Sequence, residues 1–452
     1  MKNIVLIGLP GSGKTTLGRR AALALGLDFV DMDEVLARRA GMTIPEIFAA
    51  EGEKGFRNRE SALCAEWAGA ARRVIATGGG AVLRAENVAA LRRNGFVVFV
   101  DRPPTEITGD VDTGGRPLLS GGADRVYALS AQRRSLYLAA ADAGLPNEAG
   151  PEEALAGLLA LARFVYPPSD GFAVIGDPIG HTLSPPLHRA VFAALGVDAP
   201  YEAIRVPRGR MGDFAAAVRG SGLGGFNVTI PHKRDILPFL DEVDGDAALC
   251  GAVNTVTVRD GRLYGYNTDM GGLLQALRSR GYGYRGRAVV LLGAGGAAAG
   301  AALKAALEGA ARVTVLARRT AAAETLAAQV RRAVPGAVCD GGAMDGAGLR
   351  RAAGDAEILI NATPLGMRGG PDGFPSLDFL RAAPPGALVC DLIYNPPRTA
   401  LLAKAEGLGL AVMNGLDMLI HQALLADELF LGRTLDRAGL FQMFSNKGVK
   451  LL

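Results

Sequence analysis

Residues 3–8 form an apolar run, Asn-Ile-Val-Leu-Ile-Gly, that leads into a Gly-rich loop. Such a run predicts a short buried strand, and the pattern from about Lys14 to Leu25 predicts the helix that follows it. Strand and helix patterns then alternate to about Phe164, which favours a parallel α/β sheet. The segment Tyr166 to Gly171 is polar, carries two prolines and reads as a linker. A new apolar strand begins at Phe172–Gly176, with alternation to about Asp269. Residues 288–292, Ala-Val-Val-Leu-Leu, start a further strand–turn–helix unit ahead of an Ala-rich helix. No internal repeat is evident, and 433–452 predicts a terminal helix and tail.

Composition sharpens this picture modestly. A chain of 452 residues has room for about three domains of roughly 150 residues each. A formal charge of +4, from 49 basic and 45 acidic residues, speaks against a nucleic-acid or membrane-surface partner. Cys64, Cys250, Cys339 and Cys390 are scattered without C-x-x-C spacing, as expected of a reducing cytoplasm without disulfides or zinc. The N-terminus runs straight into a strand rather than a signal peptide. The longest uncharged stretch, Ala288–Leu303, is too short and too weakly apolar to span a bilayer. The cations are nearly all Arg; with only eight Lys, Lys14 and Lys233 stand out inside motifs.

Two phosphate-binding patterns carry candidate chemistry. Gly8-Leu9-Pro10-Gly11-Ser12-Gly13-Lys14-Thr15-Thr16 contains G-x-x-x-x-G-K-[ST] between strand and helix, the context this loop requires. Its backbone N–H groups can cradle phosphate at a helix N-terminus, with Lys14 reaching the β/γ-phosphates of ATP and Thr15 offering a hydroxyl to Mg²⁺. Asp31 and Asp33 follow an apolar pair. Alternation at a strand end would put both carboxylates on one face, for metal and for a hydroxyl proton, although taken alone such a pair more often caps the next helix. Gly293-Ala294-Gly295-Gly296-Ala297-Ala298 fits G-x-G-x-x-[GA]. The strand after it ends in Arg318 and Arg319 rather than an acid, which favours the 2′-phosphate of NADP over the 2′-hydroxyl of NAD.

The first half resembles shikimate kinase. The resemblance rests on the phosphate loop, Asp31/Asp33, Phe56-Arg57, Gly78-Gly79-Gly80, Arg116-Pro117-Leu118-Leu119 and Arg134, over about 1–165. It implies a P-loop nucleoside-monophosphate-kinase-like fold in which Arg57 and Arg134 clamp the shikimate carboxylate. Gly79 and Gly80 would admit the ring, Asp33 activate the 3-hydroxyl, Asp31 hold Mg²⁺ through water, and Arg116 close over the γ-phosphate. The family's further Arg ahead of the lid is missing: Thr108–Gly115 carries two acids and no cation.

The second half resembles shikimate dehydrogenase, through Gly176–Pro185, Asn227–Lys233, Gly251–Thr255, Asn267–Asp269, Asn361–Met367, Asp391–Pro396 and Gly415 to Gln422. The resemblance implies a substrate domain over 172–270, completed by about 418–452, and a Rossmann NADP domain over 271–417. Lys233 and Asp269 would be the catalytic pair at the C3/C4 oxygens. Thr182 and Ser184 would hold the carboxylate, with Tyr394 near it, and Thr229, Asn254 and Gln422 the ring hydroxyls. Thr363, Met367 and Gly415 would join the fingerprint turn around the cofactor. All four His fall in this half and read as structural, not as proton donors. Thr182 stands where the family has Ser, and Ala317 where it has Asn.

The whole therefore reads as a bifunctional enzyme: NADPH-dependent reduction of 3-dehydroshikimate, then MgATP-dependent phosphorylation of shikimate. Three alternatives stand beside it: a silent nucleotide-binding first half, a quinate dehydrogenase, and a hydroxyl-acid or nucleoside monophosphate kinase, the last weakened by Arg57 and Arg134, which suit a small carboxylate.

Overall fold

In the structure, a computed structural model that describes residues 2–110, 122–180 and 182–446, the N-terminal apolar run is strand β1 (Asn3–Ile7), buried along its whole length. Two units are distinguished: Met1–Ser169 with Ile204–Gly222, and Asp170–Ala203 with Leu223–Leu452.

The first unit alternates as the pattern requires. After β1 come α1 (Lys14–Leu25), β2 (Asp28–Asp31), α2 (Met32–Ala40), α3 (Ile44–Trp67), β3 (Arg73–Ala76), α4 (Ala85–Arg93), β4 (Gly95–Asp101), α5 (Pro104–Asp110), α6 (Gly122–Ala140), β5 (Ala143–Pro146) and α7 (Pro151–Ala162). The sheet is parallel in the order β2-β3-β1-β4-β5. The chain after β1 turns toward one neighbour and the chain after β3 toward the other. The phosphate loop thus leaves the carboxyl end of the central strand, where the strand order reverses and an open α/β sheet keeps its ligand crevice. Helix α3 starts with a Thr43–Glu46 capping box and is kinked at Gly52, whose φ of 67° is non-helical.

The second unit has two sheets. Its strands and helices run β6 (Phe172–Gly176), α8 (Ser184–Ala194), β7 (Tyr201–Arg205, its last two residues counted with the first unit), α9 (Met211–Val218, in the first unit), β8 (Gly225–Val228), β9 (Glu242–Val243), α10 (Gly245–Cys250), β10 (Thr255–Arg259), β11 (Arg262–Tyr266) and α11 (Thr268–Ser279). They continue as β12 (Ala288–Leu292), α12 (Gly296–Leu307), β13 (Arg312–Ala317), α13 (Thr320–Ala333), β14 (Cys339–Ala343), α14 (Gly346–Asp355), β15 (Ile358–Asn361), β16 (Leu388–Asp391), α15 (Ala400–Gly407), β17 (Ala411–Met413), α16 (Gly415–Leu431) and α17 (Arg437–Asn446). The mixed sheet is ordered β7-β6-β8-β10-β11-β9; the other is parallel, β14-β13-β12-β15-β16-β17. The second fingerprint leaves β12, again where the order reverses. Helix α16 packs against the mixed-sheet lobe, burying Ile420, Ala423 and Leu424 against Leu187 and Val191 of α8. The chain after the parallel sheet therefore returns to finish the first lobe.

No helix among the described residues is long and apolar enough to cross a membrane.

Candidate active sites

At the first loop, Gly11 and Gly13 have φ of 85° and 91°, a left-handed backbone that lets consecutive N–H groups turn inward ahead of α1. Lys14 is buried and its Nζ donates to the carbonyls of Gly8 (2.9 Å) and Leu9 (2.7 Å), so its charge sits over the mouth of the loop. Ser12 is buried, and Thr16 is exposed in the first turn. The Thr15 hydroxyl donates to Asp31 Oδ2 at 2.6 Å, while Asp31 Oδ1 accepts from the N–H groups of Asp33 and Glu34. Asp31 is thus both a helix cap and the carboxylate facing Thr15. Strand β2 ends at Asp31, so Asp33 is aimed by the first turn of α2, and the expected strand alternation does not apply.

Beyond the loop lies a buried charge cluster. Arg57 is 5% exposed, and its Nη1 donates to Glu60 Oε2 at 2.8 Å. A side-chain carbon on Gly78 would meet both Asp33 and Glu60, and one on Gly80 would collide with the Arg57 guanidinium. Burial drives the Glu60 carboxyl above its ordinary range against the opposing pull of Arg57; Asp33 adds to the rise. The second arginine needs correction. Arg133, not Arg134, faces this cluster: it is 4% exposed and donates to Gly79 O at 3.1 Å, alongside the Tyr137 hydroxyl at 2.5 Å. Arg134 points outward, half exposed, onto Asp101. The reason is helix phase: Val126, Leu129, Arg133 and Tyr137 share the buried face of α6, and the next residue is turned about 100° away. Among the described residues, the buried Nε–H groups of Arg57 and Arg133 have no hydrogen-bond partner. Two orphan guanidinium donors beside a glycine turn fit a small carboxylate. Accordingly, Arg133→Ala is expected to raise KM for the carboxylate substrate at least tenfold, since hydrogen bonds to charge are worth about 1.5–3 kcal/mol. Arg134→Ala should stay within about twofold, because an exposed ion pair contributes roughly 0–1 kcal/mol; initial-rate kinetics separate the two.

Glu60 and Arg133 were legible in principle. Glu60 stands i+3 from Arg57, on the same helix face, and Arg133 stands i−4 from Tyr137. Arg102, a third residue that motif reading passed over, follows β4 and donates to Gly11 O at 3.3 Å. Arg116 and most of the cation-poor stretch before it lie outside the described residues, as does His181.

In the second unit a cleft of about 210 Å³ is lined by Thr182, Ser184, Thr229, Lys233, Asn254, Asp269, Tyr394, Gly415, Met418 and Gln422. Lys233 Nζ donates to Asp269 Oδ2 at 2.5 Å, and Asn254 Nδ2 to Asp269 Oδ1 at 2.9 Å. The pair is partly open, with side chains 32% and 26% exposed. Ser184 begins α8, and its N–H donates to Thr182 Oγ1. Gln422 is held by Leu419 O at 2.9 Å. Gly415 starts α16 against the Leu392 carbonyl, where any side chain would overlap backbone.

Across the same unit, Gly293 leaves β12 at φ 113°, and the space over Gly295 and Gly296 is open where α12 begins. Ala294, Gly295 and Gly296 line a groove there; Ala297 continues the first turn of α12. Arg318 and Arg319 follow β13, exposed, and among the described residues neither sits in an ion pair. The open groove, the helix start and two uncommitted cations fit a phosphorylated dinucleotide. Thr363 is fixed by Asn361 Oδ1, which Asp391 braces from behind; Met367 is exposed. Three His are accounted for by packing: His188 pairs with Asp427, His232 with Asp235, and His421 stacks on Phe441. Burial pulls His421 down to about 4.

Comparison with known proteins agrees with both halves. The shikimate kinase family model matches residues 10–161, and the model of the shikimate dehydrogenase substrate binding domain matches 174–256. The NADP⁺ shikimate dehydrogenase of Symbiobacterium thermophilum is 43% identical over 263 residues, covering 58% of this chain and 88% of that protein. Among solved structures, Listeria monocytogenes shikimate 5-dehydrogenase in complex with shikimate and NAD aligns with a TM-score of 0.55 at 33% identity, over 61% of this chain and 96% of the other. The ligand-free 5-ketofructose reductase of a Gluconobacter strain aligns equally well, TM-score 0.55 at 34% identity, over 61% and 97%. The chain therefore belongs to the shikimate dehydrogenase family and carries a shikimate kinase domain ahead of it.

Proposed function

We propose that this chain performs two consecutive steps. Its second unit reduces 3-dehydroshikimate to shikimate with NADPH, and its first unit phosphorylates shikimate at the 3-hydroxyl with MgATP. The observation that carries the first step is the Lys233–Asp269 pair, held in a cleft lined by hydroxyl and amide groups. NADPH, when bound over the fingerprint turn, supplies the hydride. Lys233 Nζ then donates a proton to the ring oxygen as it gains charge, and Asp269 holds the ammonium in line. Thr182 and Ser184 take the substrate carboxylate, while Thr229, Asn254 and Gln422 orient the ring hydroxyls.

For the second step, MgATP in the phosphate loop supplies the phosphoryl group and the metal, with Thr15 and Asp31 on the metal side. Lys14 neutralises phosphate charge. Arg57 and Arg133 hold the shikimate carboxylate, and Asp33 accepts the proton of the attacking hydroxyl. We assign 1–165 to the kinase, 172–270 with 418–452 to the substrate domain, and 271–417 to the NADP domain. Four free cysteines favour the cytoplasm.

A one-pot assay with 3-dehydroshikimate, NADPH and MgATP tests the reading. NADPH loss with formation of shikimate 3-phosphate supports it; shikimate accumulating without phosphorylation refutes the kinase step. Cofactor choice has its own check. Arg318→Ala is expected to raise KM for NADPH about tenfold or more and leave that for NADH unchanged, since only NADPH carries the 2′-phosphate. An equal change for both cofactors would remove Arg318 from that role.

A further inference from the structure

Behind the Lys233–Asp269 pair a line of buried polar side chains runs to Tyr201 on β7. The Tyr201 hydroxyl donates to Asn227 Oδ1 at 2.5 Å. Because that oxygen can only accept, the Asn227 amide group must point the other way, and it donates to Thr255 Oγ1 at 3.0 Å and to Asn254 O at 3.2 Å. Thr255 Oγ1, having accepted one proton, has its own to give to Asn254 Oδ1 at 3.1 Å. Asn254 Oδ1 also accepts from the Thr268 N–H at 2.7 Å. With its oxygen so committed, Asn254 can present only its amino group to Asp269. Except at the Thr255 hydroxyl, which also has Thr268 Oγ1 in reach at 3.1 Å, each step removes one of two possible orientations of the next group. All of these residues but Asp269 are buried, so water does not substitute for a lost partner.

We infer that Tyr201 is a positioning residue for the reductase site: its hydroxyl sets the amide orientation of Asn227, and through Thr255 that of Asn254, whose amino group holds Asp269. The Tyr201 ring is itself locked. His188 stacks on it at 4.2 Å and 5°, and His188 Nδ1 is tied to Asp427 at 2.6 Å, both fully buried. Burial keeps the hydroxyl protonated and able to donate. The inference rests on the dehydrogenase reading above.

Tyr201→Phe keeps the ring and its stacking but leaves Asn227 Oδ1 without a donor. The expected result in steady-state reduction of 3-dehydroshikimate is a three- to tenfold fall in kcat, about the worth of one neutral hydrogen bond, with KM for NADPH unchanged. Thr255→Val interrupts the same line further on and should give the same loss, and it serves equally if the first variant is unstable. The double variant should be no slower than the slower single one. A kcat equal to wild type in both variants, or losses that multiply in the double variant, overturns the inference, as does a lowered melting temperature accompanied by raised KM for both substrates. Wild-type turnover in the same assay with unmoved variants overturns the line alone; a wild type that does not turn over overturns the dehydrogenase reading with it.

Discussion

Replacing Lys233 by Met is expected to lower kcat for 3-dehydroshikimate reduction by about 10²–10⁴-fold, the span of a lost proton donor, with KM for NADPH little changed. The Lys233 side chain is 32% exposed and tied to Asp269 at 2.5 Å, so removing its charge costs the fold little and the reaction a great deal. Met preserves the length of the stem. Phosphorylation of added shikimate by the same preparation should be unchanged, because the residues assigned to it lie in the other unit. Asp269→Asn should lose activity on the same scale, leaving Lys233 with a neutral partner. A Lys233→Met enzyme that keeps more than about a tenth of wild-type kcat would move the proton donor elsewhere.

The second large effect is expected at Arg57, where catalysis and stability coincide. Arg57→Met should abolish shikimate phosphorylation and also destabilise the first unit by about 3–5 kcal/mol, because it strands the Glu60 carboxylate, 0% exposed, without its counter-charge. Folding already raises the Glu60 carboxyl above its unfolded value. Its stabilising contribution is therefore complete below the unfolded value, roughly 4.3, and is lost as pH rises through the folded one. The Arg57→Met deficit in urea unfolding should accordingly shrink in acid. Adding Glu60→Gln should recover part of the stability and none of the activity. If the double variant unfolds as easily as Arg57→Met alone, the Arg57–Glu60 pair is not what holds this corner together.

Much of the architecture was legible along the chain. Strands β1, β6 and β12 are short uninterrupted apolar runs; the first two are buried throughout and β12 from Val289 onward. Helix α1 begins at Lys14 and ends at Leu25, where the Gly-rich loop and Gly26 bound it. What the pattern misplaced were directions, not elements. Alternation along a strand end would hold Asp33, which instead belongs to a helix; motif spacing points to Arg134, although only Arg133 shares the phase of Leu129 and Tyr137.

Two nucleotide-type loops, each between a strand and a helix, and the residue types that gather near them are readable along the chain. Such loops are local: their function comes from backbone N–H groups over a few consecutive positions, and glycine spacing records it directly. Packing in three dimensions sets the rest: Glu60 neutralises Arg57, Arg133 rather than Arg134 faces Gly79, and Tyr201 is joined to Asp269 through Asn227 and Asn254. Those choices depend on which face of each helix is buried and on which donors have no other partner. Both are set by packing between segments distant in sequence, where one unpaired buried group costs more than a local preference can repay.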